Sequence, residues 1–244
     1  MLILAIDTAL EACSAAVLDT AAAGDGFAGD GAAVEIDCER TLIASETLPM
    51  KRGHAEALMP LIARVMERAQ TNFAALDRIA VTVGPGSFTG LRVGIAAARG
   101  LALAAARPAV GITTLAALAA PLAAEGGPDP IVAAIDARHG QVYFQVLGGN
   151  GTTLIRPRIG PIEEATRAAR FGTPRLIGNA APLLAAAWPA QAPAPLDIDP
   201  RPAPDIAWVA WLGAATRTDQ DSARPLYLRP PDARPAAGAA LPRR

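Results

Sequence analysis

Lysine is almost missing: Lys51 is the single one in 244 residues. Cysteine occurs twice, at Cys13 and Cys38, and aromatic side chains make up only 4% of the chain. Two cysteines give no disulfide framework of the kind that holds small secreted domains together. The lone lysine removes the P-loop, which needs Gly-Lys-Ser/Thr after its glycines. In VGPGSFTGLRVG (83–94) the glycine at Gly90 is followed by Leu91 and Arg92. The same stretch misses the dinucleotide fingerprint, since Gly90 comes one residue too late after Gly84 and Gly86. It also misses the nucleophile elbow G-x-S-x-G, because Pro85 and Thr89 stand where glycines would flank Ser87. A basic surplus is lacking too. Net charge is −1 and the pI about 6.1, whereas a protein that grips nucleic acid alone shows a basic face. No charged and apolar leader pattern opens the chain, so no signal peptide is expected. The longest apolar stretches, such as 108–124, are rich in alanine and threonine, contain Pro121 and fall short of the roughly 20 strongly apolar residues that span a bilayer. These absences predict a reducing cytoplasmic setting.

What is present is a large apolar fraction, 52%, enough for a substantial core. DRIAVTV (77–83) alternates Ile79, Val81 and Val83 as a strand does. GLRVGIAAARGLALAAA (90–106) reads as an alanine-rich helix, with Ser87 or Thr89 as its N-cap. GPGSFTG between them is then a strand-to-helix turn whose glycines permit a sharp bend. Gly90, Gly94 and Ala98 recur every four residues and line one side of the helix. Small residues there let another backbone approach, either the chain's own sheet or a second helix. HAEALMPLIARVMERA (54–69) is a second helix, with Leu58, Leu61, Ile62, Val65 and Met66 at helical spacing and Pro60 expected to bend it or mark a late start.

An internal repeat organises the chain. AIDTALEACSAAVL (5–18) and AIDARHGQVYFQVL (134–147) align without a gap at an offset of 129 residues (136 − 7). Each reads as strand, Asp, tight turn, strand. A duplicated unit of this kind marks the actin-like, sugar-kinase architecture, in which two facing hairpins hold ATP phosphates. The first turn, Asp7-Thr8-Ala9-Leu10-Glu11, lacks glycine and carries an acid that would repel phosphate; the second, Asp136 to Gly140, keeps Gly140 and a positive charge. Asp7, Thr8, Asp136 and Gly140 are therefore read as degenerate phosphate-hairpin positions, with no cofactor expected on the isolated chain. The fold class expected is α/β, a duplicated actin-like (ribonuclease H-like) pair of lobes of mixed sheet with packed helices. The boundaries expected are 1–107, 108–229 and a disordered tail at 230–244. The segment 20–33 reads as a hairpin insertion and 189–204 as a proline-rich surface crossing.

In order, AIDTALEACSAAVL, RGHAEALMPLI, VGPGSFTGLRVGIAAARGLALA, GITTLAAL and AAIDARHGQVYF resemble the TsaB (YeaZ) family across about residues 2–147, and PLYLRPPDAR (225–234) is similar to its usual ending. The resemblance implies a part in forming N6-threonylcarbamoyladenosine at position 37 of ANN-decoding tRNAs. In that pathway TsaC makes threonylcarbamoyl-AMP, TsaD transfers the group only when paired with TsaB, and TsaE is an ATPase partner. It implies docking on TsaD, or on a second copy, through helices 54–69 and 90–106 as a four-helix bundle. His54, Leu58, Leu61, Ile62, Val65, Gly90, Leu91, Gly94, Ile95 and Ala98 are the expected interface, and tRNA is reached only through the complex. TsaD carries a His-x-x-x-His metal pair; the matching positions here are Thr114 and Leu118, which cannot replace histidine ligands. The expected role is a non-catalytic activating subunit without metal. The alternatives are a glycoprotease-like peptidase and an actin-fold small-molecule kinase.

Overall fold

The computed structural model describes residues 1–23, 41–217 and 223–229. Most of the expected insertion, Cys38 and the tail from Pro230 lie outside the described residues. The first half is built from β1 (Leu2–Asp7), β2 (Ala12–Asp19), β3 (Leu42–Pro49), α1 (His54–Arg68), β4 (Arg78–Gly84), α2 (Phe88–Ala105), β5 (Ala109–Thr113) and α3 (Thr114–Glu125). The second repeats that order: β6 (Ile131–Asp136), β7 (Gln141–Leu147), β8 (Thr153–Pro161), α4 (Ile162–Thr166), β9 (Arg175–Ile177), α5 (Ala181–Ala186), β10 (Asp197–Asp199) and α6 (Ile206–Ala215). The strand orders are β3-β2-β1-β4-β5 and β8-β7-β6-β9-β10, the same path twice. In both sheets the first three strands are antiparallel and the last two join in parallel. The fold is the duplicated actin-like α/β architecture.

The repeat extends to the hairpin turns. Asp7 Oδ1 accepts the backbone N–H of Ala9 at 3.0 Å, and Asp136 Oδ1 accepts that of Arg138 at 2.7 Å. Both acids close the same Asx turn two residues on. In the second turn Arg138, His139 and Gly140 all have positive φ.

Strand alternation sorts the side chains into layers. Leu4, Ile6, Val17, Ile79 and Val81 pack under α1 and α2. Ile3, Ala5, Leu18, Ala80 and Val110 face the other way, onto α6. In the second half Val132, Phe144 and Leu176 meet α4 and α5, while Ile131, Ala133 and Ile135 meet Leu115, Leu118 and Leu122 of α3. Each half thus sends its last helix across to cover the other half's sheet. α3 and α6 form a shared middle layer between the two sheets.

One boundary differs from the sequence reading. β5 lies beyond residue 107 and pairs with β4, so the first sheet runs to Thr113. The proline-rich stretch holds β10, which pairs in parallel with β9. Pro60 lies inside α1 on its exposed side and the helix continues through it. Phe88–Ala105 has a mean hydropathy of 1.3 and is long and apolar enough to cross a membrane by those measures. Here one side of it packs on the first sheet.

α6 is IAWVAWLGAA, apolar all round, as suits a helix between two layers. Its C-terminal carbonyls are met by Arg78 of β4. Nη1 donates to Gly213 O at 2.8 Å, Ala214 O at 3.2 Å and Thr216 O at 2.6 Å. A cation at that helix end also complements the dipole. Arg78→Ala is expected to cost about 1.5–3 kcal/mol, the usual worth of charged hydrogen bonds. At about 2–4 °C per kcal/mol for a chain of this size, calorimetry should record a clear fall in Tm. An unchanged Tm would show that the cap contributes nothing.

Candidate functional site

Two regions are candidates for function: the sealed hairpin at Asp7 and the outward side of α1 and α2. At the hairpin, Asp7, Thr8 and Ala9 are closed off from solvent. The GPGSFTG loop lies directly on them. Ser87 N donates to Ala9 O at 2.7 Å, and Thr8 Oγ1 donates to Gly90 O at 2.7 Å. A Cβ on Gly86 would press into the Ala9 carbonyl, one on Gly90 into the Thr8 carbonyl, and one on Gly94 into Thr8 Oγ1. Gly86 and Gly90 let loop and turn touch backbone to backbone, and Gly94 leaves room for the Thr8 side chain. Ser87 is the N-cap, its Oγ accepting from Gly90 N at 3.3 Å. Leu10 packs against both the first-half core and the α3–β6 core.

Asp7 follows Ile3 and Ala5 on the strand face turned to the middle layer. Thr82 Oγ1 donates to its Oδ1 at 2.5 Å, while Oδ2 has no partner. Ser14, opposite Asp7 in the β1–β2 register, also leaves its Oγ unpartnered. Burial raises the Asp7 carboxyl above its ordinary range, opposed by the bonds from Thr82 and Ala9 and by His54. Burial, and then the Asp7 charge, push the Cys13 thiol up to about 11, which leaves it an inert core residue. His54 opens α1 and is buried, with Nε2 3.2 Å from Leu10 O. Glu11, at the end of the turn, sits 3.3 Å from Lys51 Nζ. The second hairpin differs: Asp136, Arg138, His139 and Gly140 are exposed, and Asp136 N donates to Asn179 Oδ1. Thr114 and Leu118 are both buried on α3, with Leu118 in the core against the second sheet. Among the described residues no three His, Cys, Asp or Glu side chains converge as a metal site would need.

The expected interface residues point inward. His54, Leu58, Leu61, Ile62 and Val65 on α1, and Gly90, Leu91, Gly94, Ile95 and Ala98 on α2, are all buried within the chain. The reason is elementary: the large apolar stripe of α1 covers its own sheet, and the small stripe of α2 is what lets that helix approach Thr8 and Val81. The surface open to another molecule lies opposite. It includes Ala55, Met59 and Ala63 on α1, beside the charged Glu56, Arg64, Glu67 and Arg68, and Phe88, Arg92, Ala96, Arg99, Gly100 and Leu103 on α2. Leu103 is 84% exposed. A Cβ on Gly100 would meet nothing within 4 Å.

One cluster went unread in the sequence. Arg92 lies over the Phe88 ring, and Tyr227 stands beside both. The Phe88–Arg92 pair could have been found from its four-residue spacing. Tyr227 arrives from 135 residues away along the chain, and no local pattern announces it.

A solved structure titled YeaZ from Pseudomonas aeruginosa superposes on 93% of this chain and 99% of its own, with a TM-score of 0.72 and 27% identity. A family model described as TsaD, tRNA N6-adenosine threonylcarbamoyltransferase, matches residues 41–175. The chain belongs to the TsaB (YeaZ) family. The tRNA threonylcarbamoyladenosine biosynthesis protein TsaB of Escherichia coli K12 is 36% identical over 144 residues, 59% of this chain and 54% of the relative. The TsaB of Haemophilus influenzae is 34% identical over 142 residues, 58% of this chain and 52% of the relative. The match thus spans about half the length of these two TsaB relatives. An uncharacterized Mycobacterium tuberculosis protein, Rv3421c, is 35% identical over 191 residues, 76% of this chain and 80% of the relative. The family model runs from residue 41, just before β3, to the start of β9. It therefore takes in both candidate docking helices and the second hairpin.

Proposed function

We propose that this chain is the non-catalytic partner of a TsaD-type transferase in forming threonylcarbamoyladenosine on tRNA. The observation that carries the reading is the outward side of α1 and α2. Two adjacent helices present small and apolar residues to solvent, a surface on which two partner helices can pack. TsaB relatives are named for threonylcarbamoyladenosine biosynthesis, and the matching family model is that of the transferase itself. The sealing of Asp7 supports the non-catalytic part. An acid wholly shielded from solvent reaches no substrate. TsaE and tRNA would then be met in the assembled complex.

The test is reconstitution with the TsaD paralogue of the same genome, together with its TsaC and TsaE. Mass spectrometry of digested tRNA should show the modified nucleoside only when both TsaD and this chain are present. Co-purification of the two should be stoichiometric. Modification at full rate without this chain would remove the activating role, and peptide hydrolysis by the chain alone would favour an enzyme.

A further inference from the structure

We propose that Arg92 is the polar anchor of the outward α1–α2 face, held ready for a carboxylate on a helix of an acidic protein partner. The proposal rests on the docking reading above and adds which residue selects the partner.

The guanidinium carbon of Arg92 lies 3.8 Å from the centroid of the Phe88 ring. Its Nε is 3.5 Å from Tyr227 Oη, and the Phe88 and Tyr227 rings are 5.9 Å apart at 34°. Phe88 is 55% exposed and Tyr227 52%. Large aromatics held in the open by one another and by an arginine are how association hot spots look. Tyr227 is placed by the core beneath it. Leu226 N donates to Val83 O at 2.8 Å, and Leu226 and Ala223 pack into the first-half core. The segment 223–229 thus straps the N-terminal end of α2 and fixes one side of the arginine.

Stacking orients the guanidinium plane before anything binds, so little freedom is lost when its fork takes a carboxylate. The Nη groups of Arg92 have no hydrogen-bond partner among the described residues. The charge along its own helix favours an acid. No aspartate or glutamate occurs from residue 78 to residue 124, whereas Arg92, Arg99 and Arg107 are exposed on and just after α2. The neighbouring surface favours a protein over RNA. From Arg92 the same side of the helix continues through Ala96 and Gly100 to Leu103, an apolar track with no further aromatic ring for a base to stack on. One face of Phe88 is already covered by Arg92 itself.

Titration calorimetry of the full chain against the purified TsaD paralogue tests this. Arg92→Ala should weaken binding about 30-fold, the scale of a hot-spot residue. Arg92→Glu should abolish it, and Arg92→Lys should recover only part, since an ammonium neither stacks nor forks as a guanidinium does. The affinity of the wild-type chain should fall as salt rises, and that of Arg92→Ala less so. The side chain is exposed, so the variants should melt within a degree or two of wild type. If the wild-type chain binds TsaD and Arg92→Ala binds equally well, the anchor is wrong and the pairing stands. If wild type does not bind TsaD at all, the proposed function falls and the anchor with it. If the chain alone shifts tRNA in a gel, and Phe88→Ala and Arg92→Ala remove the shift while leaving TsaD affinity intact, the cluster reads RNA and the proposal is overturned.

Discussion

Gly94→Leu is expected to destabilise this chain strongly, while Gly100→Arg, six residues on along the same helix, is expected to leave it folded and poor at pairing. At Gly94 even a Cβ would run into Thr8 Oγ1, with Val81 Cγ2 at 3.5 Å behind it. Thr8 is itself tied to Gly90 O, so the turn cannot give way without breaking the hairpin. Overpacking a tight core costs about 1–3 kcal/mol for added methylenes, and four heavy atoms placed against the Thr8 and Val81 side chains belong at or above the top of that range. At Gly100 a Cβ meets nothing. Replacing a helical glycine there removes a penalty of about 0.8–1 kcal/mol relative to alanine, so the monomer should melt no lower than wild type. The arginine would instead stand in the track between Ala96 and Leu103, where a partner helix would have to pack about 8–10 Å away. Thermal melting followed by titration with the TsaD paralogue separates the two. We expect a large fall in Tm for the first, and a native Tm with at least about tenfold weaker binding for the second. A stable Gly94→Leu chain would mean that α2 lifts off Thr8. A Gly100→Arg chain that binds as wild type would move the docking face elsewhere.

Asp7→Asn is expected to raise stability, and to raise it more at neutral than at acid pH. The folded chain holds the Asp7 carboxyl above its ordinary pKa, with burial as the main cause. The folded state therefore keeps a proton that the unfolded state gives up. The stability of the wild-type chain is fully present below the unfolded value, near 3.8, and falls as pH rises from there through the raised folded value. Asparagine keeps an oxygen for Thr82 and Ala9 and has no proton to lose. The gain should be largest near pH 7 and should shrink towards pH 4, as the wild-type carboxyl takes up its proton in both states. Melting curves of both chains across that range decide it. A parallel pH dependence in the two chains would show that Asp7 is not the group responsible.

Much of this architecture is legible in the sequence, and the illegible parts share a cause. The hairpin repeat is visible because strand alternation and an Asx turn are local: Asp7 and Asp136 each bond two residues ahead. The limits of α1 and α2 follow from helical spacing and the cap at Ser87. Which way the small stripe of α2 faces is not local. In RVGIAAARGLALAA both sides carry alanine and glycine, so hydrophobicity hardly distinguishes the face under Thr8 from the face towards solvent. The buried side is decided by Thr8 and Val81, residues of other strands. Tyr227 beside Phe88, and Arg78 beneath the end of α6, are likewise fixed by contacts more than a hundred residues apart along the chain. Sequence spacing gives α1 and α2 as elements, but the residues expected at an interface are the ones that pack inside the chain.

The crossing of α3 and α6 sets a timetable for synthesis. The first sheet is complete in sequence at Thr113, yet the helix that covers Ile3, Ala5, Ala80 and Val110 begins at Ile206, 93 residues later (206 − 113). At about 5–20 residues per second, that face waits roughly 5–20 s on the ribosome before its cover exists. Leu115 and Leu118 of α3 emerge early and wait for β6 in turn. The two halves therefore close as one event late in translation. Chains released before about residue 215 should be insoluble or chaperone-bound, though every strand of the first sheet has already been made.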